Sequence, residues 1–306
     1  MAGPFSTILV PTDGSDDALL AAQVAIDLAR RTGAALHLAH VWHFATYAGD
    51  PYFSSTALPD DYLTMYEETG RAILEHEAER IATNGGTVAR THLLQGHTAD
   101  GIVDLARTIG ADLIVVGSRG LGALRRLVLG SVSDGIAHHA PCPVLMVRGG
   151  ATVWPPQRVV VGDDGSDTAD RATQLAAYVA ALYGATGVLV RAYAPVPALD
   201  QHTARRSDTL AEEAETALGE RATALATAFG GQPETRLALD DPAALLVATA
   251  EERAVPTLIV VGSRGLGAFQ RFRLGSTSTK VLHAAHCPVL VVPGERGDNN
   301  EEGATH

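Results

Sequence analysis

Residues 117–147 read GSRGLGALRRLVLGSVSDGIAHHAPCPVLMV, and residues 262–292 read GSRGLGAFQRFRLGSTSTKVLHAAHCPVLVV. The two strings agree at 19 of 31 positions without a gap. A match of this kind is an internal duplication, and its offset of about 145 residues is the length of a domain rather than of a solenoid repeat. The flanking sequence extends the match: ADLIVVGSRG at 111–120 answers PTLIVVGSRG at 256–265. The starts of the halves agree more loosely, FSTILVPTDGSDDA at 5–18 with PQRVVVGDDGSDTA at 156–169.

Working outward, each half alternates short apolar runs with stretches of helical period. STILVP, ALHLAHVW, TVARTHLL, DLIVVG and PVLMV read as strands in the first half. Between them, Asp16 to Thr32 carries Leu19, Leu20, Val24, Ile26 and Leu28 at helical spacing and stops at Gly33. A long helix is expected from about Asp61 to Asn84, a third over TADGIVDLARTIG with Thr98 as its cap, and a fourth from near Gly130. Unbroken apolar strands joined by helices imply an α/β fold: two tandem doubly wound, Rossmann-like domains, each a five-stranded parallel sheet with helices on both faces. The expected boundaries are 1–150 and 151–293, with RGGATVWPPQ (148–157) as linker and 294–306 as a disordered acidic tail.

Composition narrows the function. The 306 residues carry a formal net charge of −12, which opposes sequence-independent nucleic-acid binding. All the basic residues but Lys280 are arginine, so the first half has no lysine for catalysis. No stretch of about 18 apolar residues and no signal-peptide pattern is present, and a cytoplasmic protein without membrane contact is expected. Cys142 and Cys287 occupy the same Cys-Pro-Val-Leu string, so they are equivalent small core residues and not partners in a bridge.

In open parallel sheets ligands bind at the carboxyl ends of the strands, beside the point where strand order reverses. The loops after strands one and four are therefore the candidate site. Gly117-Ser118-Arg119-Gly120 is followed after nine residues by Gly130-Ser131, and Gly262-Ser263-Arg264-Gly265 at the same spacing by Gly275-Ser276. Glycine after a strand lets backbone N–H groups approach a ligand, and a Gly-Ser pair opening a helix offers unpaired N–H groups and the positive end of the dipole to an anion. Arg119 and Arg264 could add charge-assisted contacts. The P-loop, zinc-protease and serine-hydrolase motifs are absent. His37, His40 and His43 alternate faces and do not converge on a metal, and His138-His139 with His283-His286 read as partners of a helix C-terminus.

These glycine loops, the early strand ending in Asp-Gly-Ser and the closing Cys-Pro-Val-Leu strand resemble the universal stress protein family across residues 5–147 and 157–292. The resemblance implies a tandem member that binds ATP, with Mg²⁺ as a possible companion, and whose domains pack as a dimer-like pair; a homodimer of the whole chain is a further expectation. Carried onto matching positions, it assigns Asp13 and Asp164 near the nucleotide, and the backbone of Val41 and Ala192 beside adenine. Gly117, Gly120, Gly130, Ser131, Gly262, Gly265, Gly275 and Ser276 fall at ribose and phosphate, and Ser133 and Ser278 at a further phosphate contact. From the residues themselves, Asp13 and Asp164 have two open readings: they hold Mg²⁺ beside phosphates, or they bond local N–H groups where the first helix starts. Asp163, which replaces Thr12, is a carboxylate that would repel phosphate if it faced inward, so the second site is expected to be the weaker. A nucleotide-binding regulatory module is the leading reading; a slow ATPase or autophosphorylating enzyme and a non-nucleotide interaction protein are the alternatives.

Overall fold

The structure, a computed structural model, describes residues 3–42, 60–120, 129–149, 153–192, 201–265 and 274–294. The reading of the tail thus falls outside the described residues from residue 295 on, and so does His43. The first half runs β1 (Thr7–Pro11), α1 (Asp16–Thr32), β2 (Ala35–Trp42), α2 (Asp60–Thr83), β3 (Val88–Gln95), α3 (Thr98–Ile109), β4 (Leu113–Gly117), α4 (Ser131–His139) and β5 (Val144–Val147). The second half repeats it: β6 (Arg158–Gly162), α5 (Asp167–Tyr183), β7 (Thr186–Ala192), α6 (Gln201–Phe229), β8 (Glu234–Ala238), α7 (Pro242–Glu251), β9 (Thr257–Gly262), α8 (Ser276–Ala284) and β10 (Val289–Val292).

Local chemistry sets the helix limits. Ser15 accepts the Ala18 N–H to cap α1, Asp16 and Asp17 sit at the positive end of its dipole, and Arg30 and Arg31 at the negative end. Gly33 ends it in the left-handed region at φ 76°, which costs a residue without Cβ nothing. Ser166 and Gly184 do the same for α5. One expected cap is corrected: Thr98 is the first helical residue of α3, and the cap position belongs to His97, whose side chain makes no cap bond.

The strands pair in the order β3-β2-β1-β4-β5-β10-β9-β6-β7-β8. Within each half every pair is parallel, and the order reverses between β1 and β4, and between β6 and β9. The halves do not merely pack. β5 and β10 pair antiparallel, with Leu145 opposite Leu290, so one ten-stranded sheet crosses the molecule. This covers the edge that each half would otherwise expose at its fifth strand.

Because strand side chains alternate faces, the sheet sorts its residues into two sides. One side carries Ile8, Val10, Leu36, Leu113 and Leu145 and continues into Val159, Leu189, Val260 and Leu290, forming a single core through both halves under α1 and α5. The other side holds two cores, one around Leu9, Val41, Ile114 and Ile136, the other around Val160, Val190, Ile259 and Val281. Cys142 is buried just before β5, and burial pushes the thiol of Cys287, just before β10, up to about 12, which suits a packing role for both.

Candidate functional site

Both reversal points are built alike. At the end of β1 the chain turns through Thr12-Asp13-Gly14-Ser15: Thr12 Oγ1 accepts from Gly14 N at 3.1 Å and Asp13 Oδ1 from Ser15 N at 3.0 Å. At the end of β6, Asp163 Oδ1 accepts from Gly165 N and Asp164 Oδ1 from Ser166 N, both at 3.0 Å. One oxygen of Asp13 and of Asp164 thus serves the local turn. The other oxygen, Oδ2, stands where a Cβ on Gly120 or Gly265 would overlap it. These glycines let the loop after β4 or β9 close over the carboxylate.

The loops then fold back. Gly130 N donates to Ser118 O at 2.9 Å and Gly275 N to Ser263 O at 2.6 Å, so the two glycine ends of each loop meet, as the spacing suggested. Gly130 and Gly275 hold the N-cap positions of α4 and α8 and bring no side chain to cap them, unlike Ser15, Ser166 and Asp241 on α1, α5 and α7. The first-turn N–H groups beside exposed Ser131 and Ser276 therefore need an outside acceptor. Two serines assigned to phosphate are placed differently. Ser133 Oγ donates to Gly117 O at 2.8 Å and Ser278 Oγ to Gly262 O at 2.6 Å, both from buried positions. Their protons tie the helix to the strand end and are not available to an anion.

Gly117 has its own reason to lack a side chain. A Cβ there would lie 2.7 Å from the backbone C and O of Asp17, so the residue lets α1 rest on the end of β4. At Gly262 the neighbour is Thr168, whose Cγ2 would be 2.8 Å away.

Beside the loops, Val41 and Ala192 present backbone to a gap. Thr12 N donates to Ala39 O and Asp163 N to Val190 O, the last ladder bonds of β1 and β6 with their neighbours. Val41 and Ala192 lie two residues on and so face the same way, while still paired to Leu94 and Ala238 on the far side. The carbonyls that would meet them if β1 and β6 continued are taken by side chains: His40 Nδ1 bonds Thr12 O at 2.8 Å, and Arg191 Nε donates to Asp163 O at 3.2 Å.

The expected repulsion from Asp163 is corrected. Its carboxylate is fully buried and held by Arg191 at 3.0 Å and Arg221 at 2.7 Å. It points down into these arginines, and its charge is balanced twice over. Sequence alone hid this because the partners lie far along the chain.

The arginines of the loops differ. Arg119 makes a two-pronged pair with Asp17, Nε to Oδ2 at 3.0 Å and Nη2 to Oδ1 at 3.2 Å, and Ser118 Oγ adds a bond to Oδ2. Its charge is therefore not simply on offer to an anion, as the sequence suggested. Thr168 stands against Gly262 where Asp17 stands against Gly117; among the described residues Arg264 forms no ion pair, and its Nε is buried without a hydrogen-bond partner.

The other histidines fall as bonding chemistry dictates. His138 and His139, in the last turn of α4, bond the carbonyls of Asp134 and Gly135 one turn back. Among the described residues no three His, Cys, Asp or Glu gather as a metal group. Sequence reasoning missed a pair: His37 on β2 and His92 on β3 stack, with 3.0 Å between Nδ1 and Nε2. Burial, and after it the nearby Arg90 charge, holds His37 below the usual histidine range; burial, His37 and Arg90 do so for His92. A depressed folded value means stability is full above the unfolded pKa and is lost as pH falls through the folded one. His92→Gln should therefore melt with less dependence on pH than the parent between about pH 7 and 5, and identical slopes would count against the pair. Elsewhere, a cleft of about 590 Å³ opens between α2 and the ends of β2 and β3, lined by Trp42, Glu67, Arg71, Glu75 and Leu93 among others.

Comparison with known proteins follows the same division of the chain. The model of the Universal stress protein family matches residues 4–148 and again 156–293. A universal stress protein of Mycobacterium tuberculosis is 31% identical over 299 residues, spanning 93% of this chain and 96% of that protein. One from Thermus aquaticus is 41% identical over 145 residues, 47% of this chain and 99% of its own length, so it corresponds to one half. The crystal structure of a universal stress protein from Archaeoglobus fulgidus has the same fold, with a TM-score of 0.65 at 22% identity over 94% of this chain and 98% of that one.

Proposed function

Because the chain belongs to the universal stress protein family, we propose that it binds adenine nucleotide, ATP first of all, at the glycine loop of each half, and acts as a regulatory module in a stress response. The observation that carries this reading is the pair of glycine-capped helix N-termini, each facing the end of a buried strand. In a chain of net charge −12 an anion needs a local positive field. The first-turn N–H groups of α4 and α8 supply it. The backbone of Val41 or Ala192 would bond the adenine edge, Gly120 and Gly265 would admit the ribose and phosphates, and Ser131 and Ser276 would donate to phosphate. The second oxygen of Asp13 or Asp164 would reach a Mg²⁺ that accompanies the phosphates. Bound nucleotide would alter the surface offered to a partner, which includes a second copy of the chain. No helix among the described residues is long and apolar enough to cross a membrane, and a cytoplasmic location fits such a module.

Denaturing the purified protein and separating the released small molecules by chromatography tests this directly. Adenine nucleotide at up to two per chain is the expected result, with calorimetric binding of ATP to the emptied protein. No released nucleotide and no heat with ATP would leave the fold standing and favour the interaction-protein reading.

A further inference from the structure

The two loops share a sequence yet differ in what holds their arginine. Asp17 and Thr168 occupy matching places, each in the first turn of its helix and each pressed against the glycine that ends the neighbouring strand. Asp17 grips the Arg119 guanidinium with both oxygens, and Ser118 reinforces it. The pair is sheltered, with side-chain exposures of 29% and 19%, so water screens it little. Thr168 has no charge to offer, and Arg264 keeps its own without an ion pair among the described residues. The matching serine differs too: Ser263 Oγ accepts from Gly294 N where Ser118 Oγ donates to Asp17. Arg148, close to Asp17 and Arg119, is turned to the domain junction, where it donates to Ala285 O at 2.6 Å.

We propose that Asp17 and Thr168 set the charge preference of the two sites: the second site takes highly charged nucleotides tightly, and the first binds them weakly because phosphate must compete with Asp17 for Arg119. The inference rests on the nucleotide-binding reading, and it reverses the order of strength that Asp163 suggested from sequence. A free guanidinium gives a polyphosphate a charge-assisted, two-pronged partner, whereas a guanidinium already paired gives it only an exchange of one anion for another. The difference therefore scales with the charge on the ligand and vanishes for adenosine.

The test is a calorimetric titration of the full chain with ATP, AMP and adenosine in turn. ATP should show two phases about tenfold apart or more, AMP a smaller gap and adenosine none. Asp17→Asn keeps the side-chain shape and removes the charge; it should tighten the weak ATP phase about tenfold and bring the phases together. Arg264→Gln should weaken the tight phase alone, while Arg119→Gln, which leaves the Asp17 charge unbalanced, should weaken the weak phase further. Thr168→Asp should weaken the tight phase, with near-ultraviolet circular dichroism showing that the fold is kept. Unequal ATP phases that stay put in Asp17→Asn and Arg264→Gln would overturn the inference and leave nucleotide binding intact. Adenosine affinity that moves as much as ATP affinity would assign Asp17 a structural role and overturn it as well. Absence of binding by all three ligands in every variant would remove the underlying reading, and the inference with it.

Discussion

Asp27→Ala is expected to lower the unfolding free energy by roughly 2–3 kcal/mol, although the residue lies on a helix surface. Its carboxylate joins three parts of the chain. Trp154, in the connection between the halves, donates Nε1–H at 2.9 Å, Tyr183 at the end of α5 donates its hydroxyl at 2.6 Å, and Arg31 on the same helix donates Nε–H at 3.2 Å. The Tyr183 ring meets Trp154 edge-on at 5.2 Å and carries the Arg31 guanidinium 4.5 Å from its centre. Removing the acceptor leaves an indole and a phenol donor unpaired in a half-buried place, each costing about 1–3 kcal/mol before water returns. The Arg31 pair is exposed and adds about 0.5 kcal/mol at most. With the side chain 33% exposed, water recovers part of the loss, which sets the lower end of the range.

The same residue gives a pH signature. Burial alone would raise the Asp27 carboxyl; the bonds from Tyr183, Trp154 and Arg31, with the charge of Arg31, outweigh it and hold it below the usual carboxylate range. The contribution is therefore complete above the unfolded value and is lost as pH falls through the folded one. Burial and the bond to Asp27 push the Tyr183 hydroxyl far up, so it remains a donor throughout. In urea titrations the gap between the parent and Asp27→Ala should be widest near neutral pH and should narrow in acid. A constant gap, or one below about 0.5 kcal/mol, would mean that this joint does not hold the halves together.

The sequence already displayed what is periodic and local. The duplication, the buried runs of β1, β4 and β9, and the ends of α1 at Ser15 and Gly33 all follow from neighbours within a few residues. Hidden were contacts between residues far apart. Arg158 opens β6 directly after the connection, and nothing near it in sequence marks it as buried, yet it is 1% exposed. Its guanidinium donates to Thr249 O and meets Glu234 on β8 and Glu252 just past α7. Asp163 misled for the same reason: a lone carboxylate in sequence is a neutralised one once Arg191 and Arg221 close on it. The join of β5 to β10 was invisible because a four-residue apolar strand shows that its faces are buried and says nothing of its edge. At the candidate site the glycine spacing disclosed the loop. It did not disclose which missing Cβ makes room for a ligand and which makes room for the protein.

That last distinction yields the second large effect. Gly117→Ala is expected to destabilise the protein by roughly 2–3 kcal/mol, because the new methyl overpacks a rigid contact. Gly117 is not among the glycines with positive φ, so alanine suffers no backbone penalty there and only the close approach counts. The atoms it would meet, at 2.7 Å, are the backbone C and O of Asp17, and they cannot swing aside as a side chain would. α1 must instead lift from β4, disturbing the packing of Ala18 and Ala21 and the Asp17–Arg119 pair together. Gly262→Ala meets the movable methyl of Thr168 first, with its backbone at 3.2 Å, and should cost less. Gly120→Ala meets only the carboxylate end of Asp13, which can turn, so stability should hardly change while nucleotide binding in the first half weakens. Urea unfolding of the three variants should thus rank the losses Gly117→Ala, then Gly262→Ala, then Gly120→Ala. If Gly117→Ala were as stable as Gly120→Ala yet lost nucleotide, the glycine would be making room for the ligand and not for α1.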